Sequence, residues 1–437
     1  MIWDRLQASS FVRHVLQLMT GTALSQIVAI VVQLAAMKLY SGADFGGYAV
    51  VTAVVGGLVT IASLRYDLTI VLPARDADAR HLVRLTSRIN AAVAGTALVV
   101  LWLVRHPVAE LLVRGTGPDD LARRAEVAAW LPAAAPLTWV MQQLLIVGYW
   151  LNRHQRYRDL ARNKIAQSVG VGAGQLGLGA AGAGTLGLIV GQLAGLLAAL
   201  ALVWARTRPS LDAADDRHAA GLLRRYRRMP LLNGPSAVAD AIRVNGITML
   251  LGASFGLTSL GQFNRAWALL QAPIALINGA LQQVFYQRLA TTPRDQMLRT
   301  VRTAILRSAA LGIIPFALIH LLAPPLFRWF DPQWTEAGVL AAALVPWLYL
   351  TFITSPVSSV FLVVEQQGLL MGFSVVFMAV PLALLWWHRS DLVGTVHLVS
   401  WVMAVLLLGF CGLALYVAHR CRNGTGPGEP APDGGRE

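Results

Sequence analysis

Charge is scarce in this 437-residue chain, and acidic charge most of all: 22 Asp and Glu stand against 36 Lys and Arg, and together they make up 13% of the residues. A soluble domain carries roughly a quarter charged residues, so most of this chain does not face water. Cysteine is nearly absent. Cys411 and Cys421, both close to the C-terminus, supply neither a disulfide framework nor a metal motif. No phosphate-binding glycine loop, HExxH, GxSxG or paired CxxC occurs, so ATP hydrolysis is excluded and no cofactor or metal is expected. The nine histidines are scattered rather than clustered. Long polar segments between apolar runs are missing too. The longest expected outer loop, near 105–126, is too short to fold into an acceptor-binding domain, which argues against a membrane polymerase or glycosyltransferase.

What the chain does have is long hydrophobic runs, with 56% hydrophobic residues overall. Each crossing of a bilayer needs about 20 apolar residues, because only a helix satisfies its own backbone in hydrocarbon. Spans are expected near 15–39, 47–72, 85–104, 127–150, 165–183 and 186–205. A second set falls near 229–253, 259–287, 303–323, 336–364, 369–388 and 393–417. Arg5 and Arg13 precede the first run as in a signal peptide, but the run is too long for a signal core and reads as a transmembrane helix. The sequence therefore predicts an all-α polytopic membrane protein of about twelve helices. Its organisation is an N-terminal six-helix lobe (1–205), a basic cytoplasmic linker (206–228), a C-terminal six-helix lobe (229–417) and a disordered cytoplasmic tail (418–437).

The net charge of +14 invites a nucleic-acid reading. The basic residues sit in short loops rather than on one face, so the positive-inside rule explains them and nucleic acid is not an expected partner. Arg153, Arg156, Arg158, Arg162 and Lys164 fill one loop; Arg224, Arg225, Arg227 and Arg228 fill another. The loops near 40–46, 184–185, 254–258 and 389–392 carry almost none. Both termini are expected inside.

Charges within spans are the candidate functional residues, since each costs at least about 2.5 kcal/mol at a helix centre unless it faces protein or water. Asp240 and Arg243 lie one turn apart in the seventh span. They read either as a pair that neutralises itself or as the polar lining of a cavity in which Arg243 meets an anion. Arg265, a few residues into the eighth span, either snorkels outward or adds to that cationic cavity. Arginine's planar fork suits a lipid diphosphate, so Arg243 and Arg265 are candidates for head-group contact. Arg65 and Asp67 lie toward the inner end of the second span, where they read as an interface anchor or as a coupling and gating group. Asp67 and Asp240 are the candidates for sensing a proton or sodium ion. Gly187, Gly191 and Gly195 recur at a spacing that lets two helix backbones approach closely. Prolines inside spans, such as Pro136, Pro315, Pro346 and Pro381, predict kinks.

Phe45-Gly46-Gly47-Tyr48 in the first half is echoed by Phe255-Gly256 through Gly261-Gln262-Phe263 in the second. Repeats of this kind place a substrate between halves near the midplane. Leu39-Tyr40-Ser41 through Asp44-Phe45-Gly46 resembles the stretch after the first helix of oligosaccharide flippases of the O-antigen type. Leu64-Arg65-Tyr66-Asp67-Leu68-Thr69-Ile70-Val71-Leu72-Pro73 resembles the signature closing their second helix, with Asp67 where many members have Glu. Thr185 through Gln192 resembles their sixth helix, and Phe255 through Phe285 their seventh and eighth. That resemblance implies the fold of the multidrug/oligosaccharidyl-lipid/polysaccharide exporter superfamily. It further implies a polyprenyl-diphosphate-linked oligosaccharide as cargo, membrane lipids as surroundings, a polysaccharide polymerase as a partner, and the bacterial inner membrane as location. The alternatives are a multidrug or cation antiporter of the related type and a flippase for the peptidoglycan precursor, though such flippases usually carry helices beyond the twelve expected here.

Overall fold

The computed structural model describes residues 22–113, 118–207, 216–364, 366–387 and 391–422. Arg5, Arg13, the middle of the linker and the tail beyond 422 lie outside the described residues. Among those described the chain is helical and contains no strand. It divides into two compact units, Met1–Arg265 and Ala266–Glu437.

The first unit holds α1 (Thr22–Leu39), α2 (Gly42–Ala62), α3 (Asp76–Leu112), α4 (Pro118–Trp130), α5 (Ala134–Arg153), α6 (Tyr157–Ala180), α7 (Gly184–Thr207), the short basic α8 (Asp216–Tyr226) and the start of α9 (Arg228–Thr291). The start of α2 is fixed by a capping box. Ser41 Oγ accepts from Asp44 N–H, and the Asp44 carboxylate accepts from Ser41 N–H at 2.9 Å. This satisfies two orphan donors and puts negative charge at the positive end of the helix.

The far end of α2 corrects one expectation. The second span was expected to run to 72, but the α-helix stops at Ala62. Leu64 and Arg65 follow with φ of 48° and 61°, a left-handed conformation costing an L-residue about 1–2 kcal/mol. The chain then tightens into a 3₁₀ helix over Tyr66–Val71. Arg65 and Asp67 thus lie beyond the helix rather than in it. The turn is held from two sides: Ser63 Oγ donates to Asp67 at 2.7 Å, and Arg153 on α5 donates to the carbonyls of Val71 and Pro73 while gripping Asp76 at 2.8 Å. Ile70 packs below it with Leu82, Ile146 and Trp150, and Leu222 joins that cluster from α8.

α6 and α7 meet along a glycine seam. A methyl group at Gly174 would stand 2.6 Å from the Gly191 carbonyl, and one at Gly195 would collide with the backbone of Val171. The spacing read from the sequence is used for the backbone approach it permits.

α9 is a 64-residue run, near 96 Å at 1.5 Å per residue, far longer than a bilayer is thick. Gly256 breaks it with φ 83° and ψ 174°, a conformation open to glycine alone. The outer loop expected at 254–258 is reduced to that one residue.

The second unit contains the remainder of α9, α10 (Met297–Phe330), α11 (Thr335–Ala343), α12 (Val345–Val357), α13 (Val360–Val363), α14 (Gln367–Trp387) and α15 (Leu392–Arg422). Its core gathers Leu289, Val301, Ala304, Val360, Phe361, Phe410 and Ala414. The expected single span over 336–364 is bent by 48° between Ala343 and Val345, where Pro346 lacks the N–H that would continue the ladder.

Large apolar side chains are turned outward: Trp387 is 89% exposed and Leu321 68%. Only 17% of the apolar stretch of α10 and 11% of that of α14 is buried. A water-soluble surface does not sustain such patches, whereas lipid tails cover them. Among the described residues nine helices are long and apolar enough to cross a membrane, or ten if the bent pair counts as one span. α6 falls short on hydropathy, and α9 carries two of the expected spans on either side of Gly256.

Candidate functional site

At the Ser41 end of α2 a polar cluster is built into apolar surroundings. Arg265 on α9 is 5% exposed. Its guanidinium carbon lies 4.0 Å from the centroid of the Phe45 ring, and one terminal nitrogen donates to Asn264 Oδ1 at 2.8 Å. Its Nε is buried and has no hydrogen-bond partner. Among the described residues it forms no ion pair with a carboxylate. A desolvated arginine over an aromatic face gains about 2 kcal/mol or more, yet an uncompensated buried cation costs several. Arg265 therefore carries unsatisfied donor capacity. The expectation that it snorkels outward is not met; it is buried within the first unit.

Tyr48, one turn along α2 from Phe45, lies close enough to Arg265 for the two to interact electrostatically. Its hydroxyl donates to Gln192 Oε1 at 3.0 Å and accepts from Gln175 Nε2 at 3.4 Å. The Gln175 amide also donates to Leu188 O, and Tyr40 Oη donates to Gln175 O at 2.6 Å. α2, α6, α7 and α9 thereby converge on one set of uncharged dipoles around one cation.

The convergence depends on glycine. A side chain on Gly46 would strike the Leu257 carbonyl, and one on Gly261 would strike the carbonyl of Gly42. The two echoing motifs of the sequence pack against each other by reciprocal backbone contact. Farther along α2, Gly56 leaves room for Asn245.

The other residues singled out from the sequence lie elsewhere. Arg243 is bound to Asp240 at 2.6 Å through two of its nitrogens, and Asp240 is largely exposed. That guanidinium is neutralised in place, and the pair lies across the Gly256 break from Arg265. Asp67 is buried and bonded to Ser63, while Arg65 has a buried Nε without a hydrogen-bond partner. Both stand beyond the last turn of α2, whereas Phe45 is in its first. The 21 residues of α2 span about 31 Å, so Arg65 and Asp67 sit at the opposite end of that helix from the Phe45–Arg265 contact. Sequence reasoning missed Tyr48, Gln175, Gln192 and Asn264. A signal existed for the glutamines, since an amide within an apolar span is costly for the same reason as a charge.

This all-helical arrangement recurs among solved transporters. The structure of a lipid II flippase, MurJ, in an inward closed conformation matches with a TM-score of 0.71 at 10% identity, covering 92% of this chain and 90% of that one. A transporter of the MOP superfamily from Pyrococcus furiosus matches at 0.59, with 14% identity and 95% of each chain covered. The MATE multidrug transporter DinF-BH matches at 0.62, with 13% identity, 92% of this chain and 95% of that one. At these identities the likeness is one of fold, and it defines a multi-pass membrane protein with the MOP transporter architecture. The chain matches no curated protein by sequence. The family model of polysaccharide biosynthesis proteins, Polysacc_synt_3, matches residues 36–337, and the chain belongs to that family.

Proposed function

We propose that the protein is a flippase of the O-antigen type. It carries a polyprenyl-diphosphate-linked oligosaccharide from the inner to the outer leaflet of the bacterial inner membrane, by alternating access, for surface polysaccharide biosynthesis. It moves its cargo without chemical change and works as a transporter rather than an enzyme. The observation that carries this reading is Arg265: a buried cation, without a carboxylate partner among the described residues, whose guanidinium fork suits diphosphate oxygens. Membership of the polysaccharide biosynthesis family and a fold shared with a lipid II flippase support it. The proposal includes twelve helices in two six-helix lobes joined by the 206–228 linker, both termini inside, and a polymerase acting on the product outside. Arg243 is a second head-group contact, and Arg65, Asp67 and Asp240 are the coupling or gating groups.

The multidrug or cation antiporter is the competing reading, favoured by the MATE structures among the fold neighbours. Organic cations are received by buried carboxylates, whereas the site described here has an arginine at its centre. The deciding measurement is the pool of lipid-linked sugars in cells with and without the gene. Accumulation of polyprenyl-diphosphate oligosaccharide with loss of surface polysaccharide is the expected result, a leaflet assay then separating transport from polymerisation. An unchanged pool with raised sensitivity to cationic drugs would establish the antiporter instead.

A further inference from the structure

The second unit contains a separate basic cavity of about 270 Å³, lined by Phe285 and Arg288 of α9, by Gln296 just before α10, and by Arg299, Thr300, Thr303, Ala304 and Arg307 along one face of α10. The α10 residues recur at three- and four-residue spacing over three turns, so they form one stripe. Arg288 and Phe285 are one turn apart on the last turns of α9 and face it across the hairpin. The floor is packed: Ala304 belongs to the core with Leu289, Val301 and Phe361, and Phe285 packs against it. Arg288, Arg299 and Arg307 are exposed, and no carboxylate lines the cavity among the described residues; Asp295 is the nearest in sequence. Three guanidiniums, two threonine hydroxyls and an amide make a set of donors suited to phosphate oxygens.

The cavity's depth narrows its occupant. From Ser308 to Phe327 α10 carries no Asp, Glu, Lys or Arg, a 20-residue stretch that matches one crossing of the hydrocarbon core. Arg307 closes the polar end of that stretch. The cavity therefore lies where the helix leaves the hydrocarbon, at the level of lipid head groups. Small-molecule sites run to about 300–1,000 Å³, so this volume suits a head group and not an oligosaccharide.

We propose that the α9–α10 hairpin binds the phosphate of a membrane lipid in this cavity, at a site distinct from Arg265. The inference is independent of what the protein transports. The recognised chemistry is a phosphate group, and inorganic pyrophosphate is the soluble source to be distinguished. The test uses the full chain in phosphatidylcholine nanodiscs, titrated with phosphatidylglycerol or with inorganic pyrophosphate and read by native mass spectrometry. Saturable binding of phosphatidylglycerol is expected, reduced at least tenfold in Arg299→Gln/Arg307→Gln. It is expected to be unchanged in Arg302→Gln, which removes charge from the same helix outside the cavity. Equal loss in all variants, or no loss in the double variant, would overturn the site. Binding of pyrophosphate without phosphatidylglycerol would overturn the lipid assignment. Surface polysaccharide measured in the same variants reports on the transport reading separately.

Discussion

Arg265 and Phe45 are stacked, the guanidinium 4.0 Å from the ring centroid, although one is on α9 and the other in the first turn of α2. The contact covers one face of the side chain, and its buried Nε has no hydrogen-bond partner. It also makes the chemistry of the side chain, beyond its charge, a testable quantity.

Replacing Arg265 by Lys keeps the charge but loses both the stack and the planar fork. Transport is expected to fall at least about tenfold in Arg265→Lys and to vanish in Arg265→Ala, with normal amounts of protein in the membrane. Surface polysaccharide at matched expression provides the check, and wild-type levels in Arg265→Ala would remove the residue from the site.

For the Asp240–Arg243 pair, the single and double variants separate the two meanings of the ion pair. Arg243→Ala, which leaves Asp240 without the guanidinium it binds, is expected to abolish transport while the protein still folds and inserts. Asp240→Ala/Arg243→Ala is expected to remain inactive. Recovery in the double variant would mean that the pair serves only to neutralise itself.

Gly46→Ala places a methyl group against the Leu257 carbonyl. Overpacking of this kind costs about 1–3 kcal/mol, so a lower melting temperature in detergent is expected. Gly57→Ala, eleven residues farther along the same helix, meets no atom within 4 Å and is expected to be neutral or slightly stabilising. Equal melting of the two variants would contradict the close approach of α2 and α9.

Asp67→Asn keeps an oxygen to accept the Ser63 hydroxyl but cannot take up a proton. If Asp67 couples transport to an ion gradient, this variant inserts normally and its transport rate no longer responds to the imposed gradient. A response identical to wild type in vesicles would assign Asp67 to holding the turn.

A reporter fused after Arg206 is expected to read cytoplasmic, as the loop charges require. Periplasmic activity at that position would reverse the topology.

The membrane character, the helices and the tight α6–α7 pairing were legible because each follows from local composition: apolar runs of span length, and glycines every fourth residue. The ends of α2 were legible unequally. Ser41 and Asp44 announce the capping box, but nothing in Leu64-Arg65 signals two consecutive left-handed residues. Those are imposed by Ser63, Asp67 and the distant Arg153. The candidate site was half visible. A charge in a span stands out, so Arg265 was found. Its distinction from Arg243 depends on which guanidinium has a carboxylate beside it, and that is tertiary information. The basic cavity on α9 and α10 was hidden for the opposite reason, since Arg288 and Arg299 in the expected loop, and Arg307 near one end of an expected span, look like ordinary topogenic charge until two helices turn them toward one space.

The glycine seam between α6 and α7 has a mechanical consequence. With backbones in contact at Gly174 and Gly191, there is no layer of side chains along which one helix could slide or shear past the other. Two rods joined along their length resist bending far more than two rods lying loosely together. In any motion of the N-terminal unit, α6 and α7 would move as a single beam, which holds Gln175 and Gln192 at one spacing from each other.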